Sequence, residues 1–255
     1  MSEMIYGVHP VMEALRAQRR PIDRVLVSAE RQDARVRQVI AAARDAGVPV
    51  QRQPRVALDR LSGGGRHQGV VAMVGGMTYA DPGDVLGRLN GPALLVVLDG
   101  IEDPRNLGGT IRSAAAAGAD ALFLPERGAA GLTAACVKAS AGAAERLPVA
   151  RIGNVVSFLK SLKERGIWVV GLDPEGDRGW TEFDLRQPVA LVFGAEGRGL
   201  RRLARETCDL VLSIPLAQGV ESLNLSVAAG IVLFEAVRQR RQGDAARGPE
   251  TGSLS

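Results

Sequence analysis

Apolar and polar positions along this chain alternate between short extended runs and helical periods. Over residues 5–74 the pattern predicts a helix from about Pro10, a strand near Arg24 to Val27, a long helix over Arg35 to Ala46, and then VPVQ. Alternation of this kind predicts parallel strands with crossover helices. A Gly-rich stretch, LSGGGRHQGVVAMV, runs into a strand at Gln68 to Val74, and it reads as a loop too flexible for a core. After the Gly/Pro-punctuated GGMTYADPGDVLGRLNGP, the run ALLVVLD at residues 93–99 has the pattern of a strand buried on both faces. A helix is expected from about Asn106, strands at Ala121 to Leu124, Trp168 to Leu172, Val189 to Phe193 and Leu210 to Ile214, and helices at Val155 to Arg165 and Leu200 to Arg205. The last long element, Leu223 to Arg240, is apolar on nearly every side through Leu225, Ile231, Val232, Leu233 and Phe234. Such a helix is buried on several faces, which suggests that it also meets a partner subunit.

The fold class expected is therefore α/β, and 255 residues accommodate two cores. The boundaries expected are a first domain at 1–76, a linker at 77–92, a second domain at 93–241 and a disordered tail at 242–255, where periodicity ends. With 46% hydrophobic and 24% charged residues the chain is neither disordered overall nor collagen-like. No apolar run approaches the roughly 20 residues of a membrane helix. The N-terminus lacks a signal-peptide pattern, so a cytoplasmic location without membrane contact is expected. Cys136 and Cys208 stand alone, which supports neither a disulfide framework nor a metal site.

Charge changes the picture. Residues 1–80 hold 12 Arg and 7 acids, a balance of +5, while the remainder holds 20 bases and 21 acids, a balance of −1. A basic segment joined to a near-neutral one suggests a module that docks a polyanion. An arginine-rich chain with only three lysines also arises from nucleotide composition, so charge alone leaves both origins open.

Three loops follow predicted strands, where open parallel sheets bind ligands: DGIEDPRNLGGTIRSA, GAEGRGL and PLAQGVESLNLSVAAG. None carries a dinucleotide fingerprint, a phosphate-cradling P-loop or a nucleophile elbow, and the chain has only His9 and His67 for a hydrolase triad. Taken singly, Asn106 suits a helix N-cap and Arg112 a solvated helix charge. Glu196 suits an exposed acid in a Gly-rich turn, and Ser222 and Asn224 suit capping of the last helix.

Together and in this order the motifs are far more specific. LDGIEDPRNLGGTIRSAAAAGA, LVFGAEGRGLRRL and ISIPLAQGVESLNLSVAAGIVLFEA resemble the three motifs of the SpoU/TrmH (SPOUT) family of S-adenosylmethionine-dependent RNA ribose 2'-O-methyltransferases. IYGVHPVMEAL, HQGVVA and KASAGAAERLPVARIGN extend the likeness to roughly residues 5–240, toward members that methylate guanosine riboses of 23S rRNA. The resemblance implies an N-terminal L30e-like domain that docks RNA and a catalytic α/β domain with a deep trefoil knot. It also implies a homodimer, with S-adenosylmethionine as cofactor and no metal. It places catalytic roles on Arg112, Asn106, Glu196, Ser222 and Asn224, and cofactor contacts on Gly194, Ile214 and Leu223. The last four catalytic positions are expected to form a hydrogen-bonded shell that holds the ribose and Arg112. Because arginine stays protonated, Arg112 either grips a substrate phosphate while phosphate or water takes the proton, or is transiently deprotonated beside that phosphate. Other targets, tRNA or another rRNA, remain open at this point, as does a non-catalytic RNA-binding assembly factor of the same fold. Arg66, His67 and Gln68 are candidates for a mobile RNA-touching loop or a plain surface turn, and His9 reads as structural.

Overall fold

The structure is a computed structural model that describes residues 3–31 and 33–247, with the backbone alone for residues 244–247. Its N-terminal unit runs β1 (Glu3–Tyr6), α1 (Val8–Ala17), β2 (Ile22–Ser28), α2 (Ala34–Asp45), β3 (Val50–Gln53), α3 (Arg55–Leu61) and β4 (Val70–Val74). The sheet order is β1-β4-β2-β3. β2 and β3 are parallel as the alternation predicts, but β4 lies antiparallel to both β1 and β2. The reversal comes from α3, too short for periodicity to reveal, and from Gly63, Gly64 and Gly69, whose positive φ values turn the chain back. α1 and α2 bury Val11, Leu15, Val36 and Val39 on one face of this sheet, while Leu58 of α3 packs with Leu26 and Val71 on the other.

The Gly-rich loop before β4 is held by hydrogen bonds. His67 is buried; its Nδ1 accepts the Gly69 N–H at 3.0 Å, and its Nε2 meets Asp59 Oδ1 at 2.8 Å. Gln68 Oε1 accepts the Val8 N–H at the start of α1 at 3.2 Å. His67 and Gln68 therefore brace the N-terminal unit, and of the three residues expected in an RNA-touching loop only Arg66 is exposed.

The C-terminal unit contains α4 (Pro82–Gly87), β5 (Leu94–Leu98), α5 (Pro104–Ala116), β6 (Ala121–Pro125), α6 (Ala134–Ala139), β7 (Val149–Ile152), α7 (Val155–Glu164), β8 (Trp168–Leu172), β9 (Arg178–Gly179), β10 (Val189–Phe193), α8 (Arg202–Thr207), β11 (Leu210–Ser213) and α9 (Leu225–Arg247). All pairings are parallel in the order β7-β6-β5-β10-β8-β11-β9. Alternate residues of β5 serve two cores, as period-two geometry requires. Leu94, Val96 and Leu98 pack with α5 and α9, while Leu95 and Val97 pack with α7 and α8. Each fully buried leucine of this kind contributes about 1.5–3 kcal/mol over an exposed one. Within the stretch expected as a linker, Ala80 bridges to Ala150 beside β7 and α4 buries Leu86.

α9 departs from expectation in two ways. It continues to Arg247, so residues 242–247 of the expected tail are helical; residues 248–255 lie outside the described ones. It is also not apolar all round. Glu235 is buried against Arg238, with contacts of 2.6 and 2.7 Å. Arg240 donates to the carbonyls of Pro92, Ala93, Leu185 and Gln187 at 2.8–3.2 Å. The Arg240 fork thus ties the last helix to the chain entering β5 and β10, a contact that five fixed donors make possible.

The two units meet through a buried ion pair. Arg20, after α1, reaches Glu145 in the short 3-10 turn at Ala143–Glu145, and both side chains are almost fully buried. Arg20 also contacts Glu3 at 3.3 Å and donates to the Gly75 carbonyl at 3.2 Å. Val137 of α6 adds an apolar contact to the core of the N-terminal unit.

Candidate active site

β5 and β10 are sheet neighbours whose following loops diverge, and the crevice at their carboxyl ends is where an open parallel sheet binds ligands. Asp103 caps α5 by accepting the Arg105 N–H at 2.8 Å, and Pro104 occupies the first helical turn. Asn106 is thereby released from capping and turned toward the neighbouring loop. Its Nδ2 donates to Glu196 Oε1 at 2.6 Å. Asn224 Nδ2 donates to Asn106 Oδ1 at 3.0 Å and to Glu196 Oε1 at 2.9 Å. Asn224 also caps α9: its Oδ1 accepts the Ser226 N–H at 3.0 Å and the Ser226 hydroxyl at 2.6 Å. Three residues far apart in the chain thus form one closed hydrogen-bonded cluster. Because Glu196 Oε1 also accepts the Leu225 N–H at 3.4 Å, the donors of the cluster converge on one oxygen. Glu196 Oε2 and the second N–H of Asn106 carry no hydrogen bond among the described residues, so both are available to a hydroxyl.

The loop after β10 closes on itself. The Ala195 N–H meets the Gly199 carbonyl at 3.1 Å, and the Gly199 N–H meets the Ala195 carbonyl at 2.9 Å. A Cβ on Gly194 would stand 1.9 Å from the Gly199 carbonyl carbon, so no other residue fits there. The bare Cα of Gly194 thus lets the loop's own backbone close against it, and Gly194 also lines the cavity. Two carboxylates fix the far end of this loop. Asp99, 2% exposed at the end of the β5 run, accepts the Arg201 N–H at 2.8 Å. Burial pushes its carboxyl above the ordinary range, opposed by the Arg201 N–H and guanidinium. Asp173, after β8, accepts the Leu200 N–H at 3.3 Å and pairs with Arg205 at 2.9 Å.

Beside the cluster lies a cavity of about 470 Å³, walled by the loops after β8, β10 and β11. Gly194, Ile214, Leu223 and Ser222 line it, together with Leu172 and Leu216. Ser222 makes no hydrogen bond among the described residues, so it joins the cavity and not the cluster. Arg112 is exposed and likewise without an ion pair or hydrogen bond among the described residues. Six residues after Asn106, it leaves the helix roughly 240° further round. Hydrogen bonds join Asn106, Glu196 and Asn224; Arg112 and Ser222 make none to them among the described residues, and Ser222 lines the cavity together with Glu196.

The profile of the SpoU rRNA Methylase family matches residues 93–234. The chain belongs to that family. The profile for RNA 2'-O ribose methyltransferase substrate binding matches residues 4–80. Among curated relatives, the 23S rRNA (guanosine-2'-O-)-methyltransferase RlmB of Ralstonia nicotianae is 44% identical over 94% of this chain and 96% of its own length. A protein of Mycobacterium sp. (strain KMS) described as an uncharacterized tRNA/rRNA methyltransferase is 46% identical over 94% of this chain and 77% of its own. Among solved structures, the SpoU methyltransferase AviRb from Streptomyces viridochromogenes in complex with the cofactor AdoMet is similar at a TM-score of 0.78 and 30% identity, covering 95% of this chain and 92% of that one. An AdoMet-bound rRNA methyltransferase from Sinorhizobium meliloti is similar at 0.76 and 29%, covering 93% and 87%.

As a SpoU family member the chain is an RNA methyltransferase that uses S-adenosylmethionine, and the cavity fits such a cofactor. Its volume is that of a small-molecule site. Leu172, Ile214, Leu216 and Leu223 offer apolar walls for a flat base, and the carboxylates of Glu175, Glu196 and Glu221 offer favourable charge to a sulfonium. Among the described residues no group of His, Cys, Asp and Glu is arranged to hold a metal ion. The wall formed by Asp173, Pro174 and Glu175 was not singled out from the sequence; the signal was there, an acid directly after a buried strand. No helix of the described residues is long and apolar enough to cross a membrane.

Proposed function

We propose that this chain transfers a methyl group from S-adenosylmethionine to the ribose 2'-hydroxyl of a guanosine in 23S rRNA. The observation that carries the reading is the closed cluster of Asn106, Glu196 and Asn224 beside the 470 Å³ cavity, in a chain 44% identical to a 23S rRNA guanosine methyltransferase. When bound, the cofactor supplies an already activated methyl, so the protein's task is to orient the hydroxyl and to help its proton leave. Gly194, Ile214 and Leu223 hold the cofactor, with Ser222 beside them. Glu196 Oε2 accepts from a ribose hydroxyl while Asn106 and Asn224 keep the carboxylate in place. Arg112 holds a substrate phosphate, and its permanent charge favours phosphate or water as the proton's destination.

Residues 1–76 dock the RNA and residues 93–241 carry the reaction, in a homodimer whose protomers meet through α9. Val227 and Phe234, seven residues apart on α9, are 49% and 51% exposed, an unusual face for large apolar side chains. α9 packs on α5, whose exposed Arg112 would then face the second protomer. A dimer mass by light scattering supports this; a monomer at micromolar concentration overturns it. The same reading gives the N-terminal unit an L30e-like fold, the catalytic unit a trefoil knot and the protein a cytoplasmic location. An experimental backbone trace that pulls straight from both ends would refute the knot.

The test of the activity is incorporation of labelled methyl into separate pools of unmodified 23S rRNA, 16S rRNA and tRNA, with the 2'-O-methylated nucleoside identified by mass spectrometry. Methylated guanosine from 23S rRNA alone is expected. Label in tRNA, one of the two RNA classes in the name of the mycobacterial relative, keeps the chemistry and changes the substrate.

A further inference from the structure

Away from the cavity, a polar groove of about 430 Å³ opens where the two units meet, lined by Glu13, Arg16, Ala17, Arg19, Glu145 and Arg146. Both of its carboxylates carry ion pairs. Glu13, buried, pairs with Arg16 at 3.6 Å and across the junction with Arg146 at 3.4 Å. Glu145 pairs through Oε1 with the buried Arg20, while its Oε2, also buried, makes no hydrogen bond among the described residues. Arg19 is different: its guanidinium is half-buried and makes no hydrogen bond or ion pair among the described residues, feeling only the field of Glu145. Its donors face the groove with no protein acceptor among the described residues, and the planar fork of arginine matches phosphate oxygens.

We infer that this groove binds a backbone phosphate of the RNA substrate, with Arg19 as its principal ligand and Arg16 and Arg146 at its rim. The inference deepens the reading of the chain as an RNA methyltransferase and rests on it. Because Arg16 and Arg19 belong to the N-terminal unit and Arg146 to the catalytic one, a phosphate held there touches both. The buried Arg20–Glu145 pair keeps the two units in one register, so the gripped phosphate stands at a set distance from the reacting ribose.

The experiment is a salt titration of binding to a 23S rRNA fragment, comparing the full-length protein with Arg19→Gln. The variant is expected to bind about tenfold more weakly. The slope of log K against log salt should become shallower by about 0.7–0.9, the loss of one phosphate contact, with cofactor affinity unchanged. Arg19→Lys, which keeps the charge and loses the fork, should fall between the two. Equal affinity and equal slope for wild type and Arg19→Gln overturn the groove. Should Arg19→Gln fail to fold, Arg146→Gln, whose side chain is 69% exposed, carries the same test with the same two outcomes. Methyl incorporation is measured separately. Wild-type protein that binds RNA in an Arg19-dependent way yet methylates no RNA supports the groove and overturns the reading of the activity.

Discussion

Asn106 Nδ2 donates to Glu196 Oε1 across 2.6 Å, joining the first turn of α5 to the loop after β10 over 90 positions of sequence. Asn224 completes the arrangement and at the same time caps α9. These two duties separate by substitution. Asn224→Ala should lose about 1 kcal/mol of unfolding free energy with the cap, and its rate of methyl transfer should fall about 10²–10³-fold as donors that orient the site disappear. Asn224→Ser restores a capping oxygen without the amide, so stability should return and the rate should not. Urea unfolding and single-turnover methylation measure the two effects, and an active Asn224→Ser enzyme would count against the cluster.

Arg112 is exposed and free of partners among the described residues, so its removal should leave the fold intact. Arg112→Ala is expected to unfold within about 0.5 kcal/mol of wild type, to bind cofactor normally and to lose most methyl transfer. Full activity in this variant would remove the residue from the mechanism.

Gly194 and Gly197 sit three residues apart and should respond to alanine to different degrees. A Cβ at Gly197 meets nothing within 4 Å, and its φ of +73° makes alanine cost about 1–2 kcal/mol. At Gly194 the same atom would stand 1.9 Å from the Gly199 carbonyl carbon, so the closed loop must open, at a cost of about 3 kcal/mol. Thermal melting and cofactor titration should show Gly194→Ala destabilised and unable to bind cofactor, with Gly197→Ala folded and competent.

Asp99 makes a prediction about pH. Burial raises its carboxyl, against the Arg201 N–H and guanidinium, so the folded state holds the proton more tightly than the unfolded chain. Stability therefore declines as pH climbs from the unfolded carboxyl value through the folded one, and is flat above it. Asp99→Asn lacks this dependence. The stability of wild type minus that of the variant should fall with rising pH across the acid range and level off toward neutrality. Urea midpoints from pH 4 to 8 check it; a difference that rises with pH would contradict the assignment.

Much of the fold could be read from residues near one another in the chain. The run ALLVVLD announced a strand buried on both faces because every position is apolar, and β5 is that strand with two cores. Short elements escaped: α3, α6 and β9 span too few residues for a period to register. Strand direction in the N-terminal unit escaped as well, because a hydrophobic pattern records which face is buried and not which way a strand runs.

The sequence by itself determined the α/β class, the three ligand-facing loops and the identities of Asn106, Glu196 and Asn224, since periodicity, glycine spacing and motif order are local properties. It left each of those residues with an ordinary capping or surface role to play. Only the tertiary structure decided that Asp103 takes the cap from Asn106, that Glu196 Oε1 gathers donors from α5 and α9, and that Arg112 is exposed without a partner among the described residues. It likewise decided that His67 braces a loop and that Arg19 is left without an acceptor beside the buried Arg20–Glu145 pair. The reason is physical: hydrogen bonds between groups 90 or more positions apart depend on how strands are ordered in the sheet, and strand order is set by packing of the whole chain and not by any local pattern.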